Sequence, residues 1–399
     1  MDYRYLAWKA IAPLAFLIAA GCSLDPATQS QDGANLGKAA EQEQPAVRGL
    51  GLVSTNIAKH GHQPRRLPLK HAARVQFDAN GDGITDLFVG HVKYSLNQTP
   101  ETASKSDFIL FLGTKGGGFA RDTATLDGVG KGCIHPRKAV VNDYNRDGRL
   151  DVFVACTGWD KRPFPGERNK IVLSQPDGTY VIQDAGTQTG FFHGAASADF
   201  DGDGNPDVAV TNDYDERASV RIWLGNGRGG FRPSTNRVPS DLKRLASHFT
   251  VELPDANGDG RFDLFVAGHE HQGAATKIYL NKADRGFQSG EVISIPAVEN
   301  KGVVLDVLAT GARGNRVLWI LRTSGGGDTF YKGVCVQVFN LQSRSSRLIH
   351  CEERSRWVPW LISWSRNGQT YVSSDDTSDL IVAPDGSRRF LQFNAELGL

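Results

Sequence analysis

Four copies of an Asp/Gly-rich loop, each set between two apolar runs, constrain this chain more than any other feature. RVQFDANGDGITDLFVG begins at Arg74, AVVNDYNRDGRLDVFVA at Ala139, SADFDGDGNPDVAVT at Ser197 and ELPDANGDGRFDLFVAG at Glu252. The first aspartates are Asp78, Asp143, Asp199 and Asp255, giving spacings of 65, 56 and 56 residues. Self-similarity at a fixed period marks a repeat architecture. Within each copy an apolar run enters the loop and a second one leaves it, which is a hairpin. A third run and a Gly-rich turn follow (DFILFLGTKGGGF, NKIVLSQPDGTY, SVRIWLGNGRGGF, TKIYLNKADRGF), and a short fourth strand fits before the next copy. Four antiparallel strands per repeat is the content of one propeller blade. No helical periodicity competes with it.

After residue 300 the loop signature stops but the strand rhythm continues. VVLDVLAT, NRVLWILRT, GVCVQVFNL and SRLIHCE read as four strands; WLISW, QTYVSS, DLIVAP and RRFLQF read as four more, with Asn367-Gly368 as a tight turn. The expected fold is therefore all-β, a β-propeller of four-stranded antiparallel blades over residues 47–399. Six blades are expected if residues 47–70 only add a strand to the last one, and seven if they form most of another.

The loops follow D-x-[DN]-x-D-G-x-x-D. Calcium takes several hard oxygens, and a Gly at the sixth position permits the sharp bend that turns alternate side chains to one centre. The first loop offers Asp78, Asn80, Asp82 and Asp86 with the carbonyl of Ile84, and the second Asp143, Asn145, Asp147 and Asp151 with that of Arg149. The third offers Asp199, Asp201, Asp203 and Asp207 with Asn205, and the fourth Asp255, Asn257, Asp259 and Asp263 with Arg261. About four structural calcium ions are expected, each joining two strands of its blade; the plainer alternative is acidic turns without an ion. These are not EF-hands, because position twelve is Val89, Val154, Val210 or Val266 inside an apolar strand.

A nine-residue calcium loop between strands resembles those of the integrin α-chain propeller and of bacterial FG-GAP/VCBS repeat proteins. The resemblance covers residues 72–290 well and residues 300–399 in rhythm alone.

The N-terminus reads as a separate device. Arg4 and Lys9 precede an apolar stretch from Ala10 to Ala20, too short to span a bilayer as a mature helix. It ends in Ala19-Ala20-Gly21-Cys22, which resembles the bacterial lipobox, with Ala19 where that family prefers Leu. The resemblance implies a signal peptide over 1–21, lipidation of Cys22 and, from Ser23 after it, the outer membrane. The alternative is an ordinary signal peptide with an incidental Cys. Residues 22–46 hold few large apolar side chains and read as a tether. Export favours disulfides. Cys335 and Cys351 flank a polar turn, and Cys133 and Cys156 flank the loop around Asp147, so each pair is expected to bridge a hairpin. Free thiols are the rival; zinc binding is disfavoured because Cys-x-x-Cys is absent.

Lys+Arg (45) and Asp+Glu (44) nearly cancel, so no global field favours nucleic acid. The strand ends away from the Asp loops carry a second recurring feature. A histidine precedes each loop: His71, His135, His193 and His248. The ends of the second strands bring His91, Trp159, Tyr214, His269 and His271 to the same face, with the cations Lys161, Arg162, Arg168, Lys170 and Arg217 in nearby segments. Three readings stand. The histidines bond neighbouring blades at the mouth of the channel; or the face binds a glycan or peptide, with Trp159 and tyrosines as stacking surfaces; or the histidines bind a transition metal or do chemistry. His269 and His271 would share one face of a strand. No nucleophile motif, phosphate loop or dinucleotide fingerprint is present. The leading expectation is a non-enzymatic binding module for a glycan or protein. The alternatives are a glycan-active enzyme, an acidic polysaccharide lyase, and a structural or assembly lipoprotein.

Overall fold

The computed structural model describes residues 60–61, 73–95, 97–116, 118–213, 218–244, 246–282, 286–288, 290–310, 317–325, 331–353, 361–366, 369–374, 381–382 and 388–389. The signal peptide, Cys22, the tether and the Asn367-Gly368 turn lie outside the described residues.

Five four-stranded antiparallel blades follow one another along the chain. The first comprises Ala73–Phe77, Asp86–His91, Asp107–Gly113 and Phe119–Asp122. The second comprises Pro136–Asn142, Asp151–Cys156, Glu167–Ser174 and Tyr180–Gly190. Phe192–Ala198, Asp207–Asn212, Val220–Gly225 and Phe231–Pro233 make the third. His248–Glu252, Leu264–Gly268, Lys277–Tyr279 and Val292–Ser294 make the fourth. Val303–Thr310, Val317–Thr323, Val334–Asn340 and Ser346–Glu352 make the fifth. Spatial order equals sequence order in each, so the strands of a blade join as hairpins.

Among the described residues the blade count is thus five, where six or seven were expected. The remaining strands, Leu361–Arg366, Gln369–Ser374, Ile381–Val382 and Arg388–Arg389, enter a sheet of different make. It has five strands because His60–Gly61 pairs parallel to its first strand, His60 opposite Ser363 and Gly61 opposite Trp364. The rhythm of apolar runs counts strands. The strand expected from residues 47–70 at the last sheet is present as His60–Gly61, and it is the make of that sheet that the rhythm leaves open.

The strand patterns follow from packing. Asp151–Cys156, Asp207–Asn212 and Leu264–Gly268 are buried at every position, which requires side chains that suit both faces of an interior strand. The outermost strand Phe231–Pro233 is more exposed and holds a proline, as suits a sheet edge. Blades pack face to face through shared apolar clusters. Phe153, Phe192 and Trp223 join the second and third blades; Phe200, Phe262 and Phe287 join the third and fourth. Both expected disulfides are formed, Cys133–Cys156 and Cys335–Cys351. Cys335 and Cys351 face each other across paired strands, whereas Cys133 sits just outside its strand. Two disulfides fit an exported protein in an oxidising compartment.

Candidate functional site

The four Asp loops share one construction. The first aspartate closes the loop on itself. Gly81 and Gly83 donate to the two oxygens of Asp78, both at 2.8 Å, and Gly202 and Gly204 to those of Asp199 at 2.8 and 2.9 Å. The sixth-position glycines Gly83, Gly148, Gly204 and Gly260 have φ of 80, 89, 87 and 86°, which explains the residue type.

The ninth-position aspartates do something the sequence did not reveal. Asp86, Asp151, Asp207 and Asp263 are fully buried. One oxygen of each accepts from the second loop residue: Ala79 at 2.8 Å, Tyr144 at 2.8 Å, Phe200 at 3.3 Å and Ala256 at 2.7 Å. The other accepts from the end of the third strand: Gly113 at 2.8 Å, Ser174 at 2.7 Å, Gly225 at 2.9 Å and Asn281 at 2.8 Å. Each therefore ties three segments of its blade together. A Cβ at Gly113 or Gly225 would lie 2.3 Å from Thr85 O or 2.1 Å from Pro206 O, so only glycine admits this approach. Burial pushes the carboxyls up, Asp151 to about 6, Asp263 to about 7 and Asp207 to about 8, where the charges of Asp201, Asp203 and Asp199 add to it.

The third loop is the best cation site by donor chemistry. Asp199, Asp201 and Asp207 place carboxylate oxygens within 4.8 Å of one another, which no other loop does among the described residues. In the first, second and fourth loops an asparagine takes the place of Asp201. Asn80, Asn145 and Asn257 donate to Asp82, Asp147 and Asp259 at 3.1, 3.1 and 3.0 Å. Arg261 also pairs with Asp259. Neighbouring loops are linked: Arg149 donates to Ala79 O at 3.2 Å, and Arg146 to Asn205 Oδ1 at 3.5 Å.

At the other end of the innermost strands, the antiparallel pairing sets Pro136 opposite Cys156, Phe192 opposite Asn212 and His248 opposite Gly268. The starts of first strands and ends of second strands share that end, as expected. The four preceding histidines are not equivalent, however. His135, His193 and His248 stand eight, six and seven residues before the first Asp of their loops. Successive side chains of a strand alternate in direction, so a one-residue difference reverses the side chain. His248 accordingly turns away from His193, and its Nδ1 lies 3.0 Å from Ser219 Oγ. The equivalent residues are Arg137, His193 and Phe249, each six before the first Asp. The pairing register shifts at this level in three successive blades: Pro136/Lys138, Phe192/Ala195 and His248/Thr250. Such bulges re-aim side chains. The three meet: the His193 and Phe249 rings are 4.5 Å apart, and the Arg137 guanidinium lies 5.4 Å over Phe249.

Around them, Tyr94 Oη lies 3.0 Å from His135 Nδ1, and Arg137 Nη1 lies 3.5 Å from His135 Nε2. Asp160 comes within 3.8 Å of His135. His269 stacks on Phe249 at 6.4 Å and on His271 at 5.5 Å. Burial holds His193 well below the ordinary histidine range and His269 at about 4.

Several expectations need correction. Trp159 is 2% exposed and packs under Tyr94 at 5.0 Å, so it supports the surface and is not itself a stacking surface. The strand ends at Gly268, and Glu270–Gln272 is a 3-10 turn, so His269 and His271 do not share a strand face. No three histidines converge closely enough for a metal among the described residues. Arg168 and Lys170 pair with Asp184 at 3.0 and 2.6 Å. His91 ends its strand half-buried. His71, Tyr214 and Arg217 lie outside the described residues. Alignment on the first Asp, read at one fixed offset, was the signal that could have found Arg137 and Phe249.

The FG-GAP-like repeat model matches residues 143–210 and 199–266. No curated protein matches the sequence. Among solved structures, a Bacteroides uniformis protein provisionally assigned as a 6-phosphogluconolactonase is 11% identical, with a TM-score of 0.49 over 78% of this chain and 81% of that one. The Aleuria aurantia lectin with α-methyl-L-fucoside is 9% identical, with a TM-score of 0.43 over 82% and 91%. A β-1,3-galactosidase with galactodeoxynojirimycin is 11% identical, with a TM-score of 0.40 over 85% and 99%. Likenesses this distant have no bearing on ligand or activity. Residues 143–266 thus carry two FG-GAP-like repeats set in the blades of a β-propeller, consistent with an FG-GAP repeat β-propeller.

Proposed function

We propose that the protein is an exported, lipid-anchored binding module in which calcium staples the Asp loops and the opposite mouth takes a glycan or protein ligand. The observation that carries this reading is the bulge repeated in three blades, which gathers Arg137, His193 and Phe249 at one end of the innermost strands. A bulge left in place by packing alone need not place a cation, an imidazole and a phenyl ring in contact. Tyr94 and Arg137 remain half-buried there and offer a face to a ligand. Glycan sites combine an aromatic surface with a few directed polar groups.

The calcium reading is supported by the donor chemistry of the third loop, with the other three loops as weaker copies. Bound calcium would supply the positive charge that three crowded carboxylates otherwise lack. Asp199, Asp201, Asp203 and Asp207 would hold it, with Asn205 offering its carbonyl. The anchor at Cys22 rests on the lipobox resemblance; labelled palmitate incorporation that persists in Cys22→Ala would sink it.

A glycan and protein array probed with and without calcium tests the module. Retention of a ligand, lost in Phe249→Ala, is the expected result; an array with no retained ligand in either condition would overturn it. The convergence of Tyr94, His135 and Arg137 favours a second reading, an acidic polysaccharide lyase working at this mouth. Its signature would be turnover of a uronate-containing glycan that is abolished by Tyr94→Phe.

A further inference from the structure

We infer that the mouth contains an oxyanion pocket formed by Arg137 and His193, which takes the carboxylate or phosphate group of a small ligand. The inference rests on the reading of this mouth as the ligand face and adds the chemical class.

Three observations carry it. First, Arg137 and His193 occupy equivalent bulged positions in adjacent blades and both contact one ring, Phe249. Second, His193 is 4% exposed, yet its Nδ1 has no hydrogen-bond partner among the described residues. Buried polar atoms in folded proteins are nearly always satisfied, so an orphan beside a guanidinium marks a place for an acceptor. In the tautomer with its proton on Nδ1, His193 donates to that acceptor. Third, among the described residues the groups that act on His193 are positive or apolar. The charge of Arg137 and the rings of His135 and His269 act on His193, while Phe191 at 5.1 Å and Phe249 wall it off from water. Desolvation makes a charge-assisted hydrogen bond from the guanidinium strong, and its planar fork fits two oxygens of a carboxylate or phosphate.

A metal cation does not suit the place, because the guanidinium would repel it. Asp160 lies on the far side of His135, within 3.8 Å of His135 Nδ1, so the acidic contribution belongs to the Tyr94 side of the mouth. An oxyanion is therefore drawn to the side of Arg137 and His193.

The test follows histidine ring resonances of the full chain by NMR in chloride-free buffer, with His193 assigned by its loss in His193→Gln. Glucuronate, glucose and inorganic phosphate are titrated separately. The expected result is a saturable shift of the His193 signal with glucuronate or phosphate and none with glucose. Response to one anion alone identifies the source as carboxylate or phosphate. Arg137→Gln should weaken the binding at least tenfold, and Arg137→Lys, which keeps the charge but loses the fork, by less. Thermal melts of each variant confirm folding. No shift with either anion, or an affinity within twofold of wild type in Arg137→Gln, overturns the pocket. Equal shifts with glucose and glucuronate overturn the oxyanion and leave the binding module standing.

Discussion

Lys138 and Asp306, 168 positions apart, meet in the interior where Lys138 Nζ donates to Asp306 Oδ1 at 3.1 Å. One belongs to the innermost strand of the second blade and the other to that of the fifth. Glu252 of the fourth blade comes within 3.8 Å of the same ammonium. All three are buried. Removing one partner of a buried ion pair strands a charge and costs about 3–5 kcal/mol. Lys138→Met should therefore lower the unfolding free energy by that order in urea titrations. The double change Lys138→Met with Asp306→Leu should recover a good part of it. A single-variant loss below about 1 kcal/mol would show that the contact contributes little to ring closure.

Calcium makes a separate prediction. A ligand that binds only the folded state adds about 2.7 kcal/mol per site at 100 times its dissociation constant. Chelator should lower the melting temperature, and Asp203→Ala should lower it further than Asp177→Ala, a change in an exposed turn of the second blade. An unchanged melting curve under chelator would remove calcium from this account.

Acid should destabilise the fold through its buried imidazoles. Burial pulls His248 and His269 down to about 4, against an ordinary value of 6.5. Below pH 6.5 the unfolded chain takes up protons that the folded chain refuses. Their contribution is thus complete above pH 6.5 and is lost as pH falls toward 4. The slope reaches at most about 1.4 kcal/mol per pH unit for each histidine. Asp151, Asp207 and Asp263, raised to about 6, 8 and 7, act in the opposite sense over this window, so the histidine part is read as a difference: urea unfolding at pH 7, 6, 5 and 4 should show the wild type losing stability relative to His248→Gln as pH falls. An identical slope in that variant would assign the acid sensitivity to other groups.

The Cys335–Cys351 bridge closes a hairpin with a sequence separation of 16. A loop of that size stabilises a fold by about 3 kcal/mol through the unfolded state. The double variant Cys335→Ser/Cys351→Ser should lose that order of stability, and reducing agent should do to the wild type what the substitutions do. If reduction leaves the melting temperature unmoved, the fifth blade does not depend on the bridge.

Much of this was legible because it is local. The alternation around Asp78, Asp143, Asp199 and Asp255 defined hairpins, and Cys335 and Cys351 could be paired by their distance from one turn. The roles of the ninth-position aspartates were half legible. Their carboxylates were visible as loop groups, but their bonds to Gly113, Ser174, Gly225 and Asn281 depend on where the third strand ends. The residues expected at the strand ends away from the Asp loops do lie there, but their offsets did not say which of them share a direction. Three histidines at offsets of eight, six and seven resemble one another in sequence and alternate in direction in a strand.

The sequence by itself determined the strands, the loops, the fixed offset from Asp to blade and the residues able to bridge a hairpin, because each depends on neighbours a few positions away. Only the tertiary structure decided the blade count, the parallel addition of His60–Gly61 to Leu361–Arg366, the meeting of Lys138 with Asp306 and the gathering of Arg137, His193 and Phe249. Each of these joins segments that are distant along the chain and are brought together when the blades pack around an axis, and no local pattern records which side chains will then face each other.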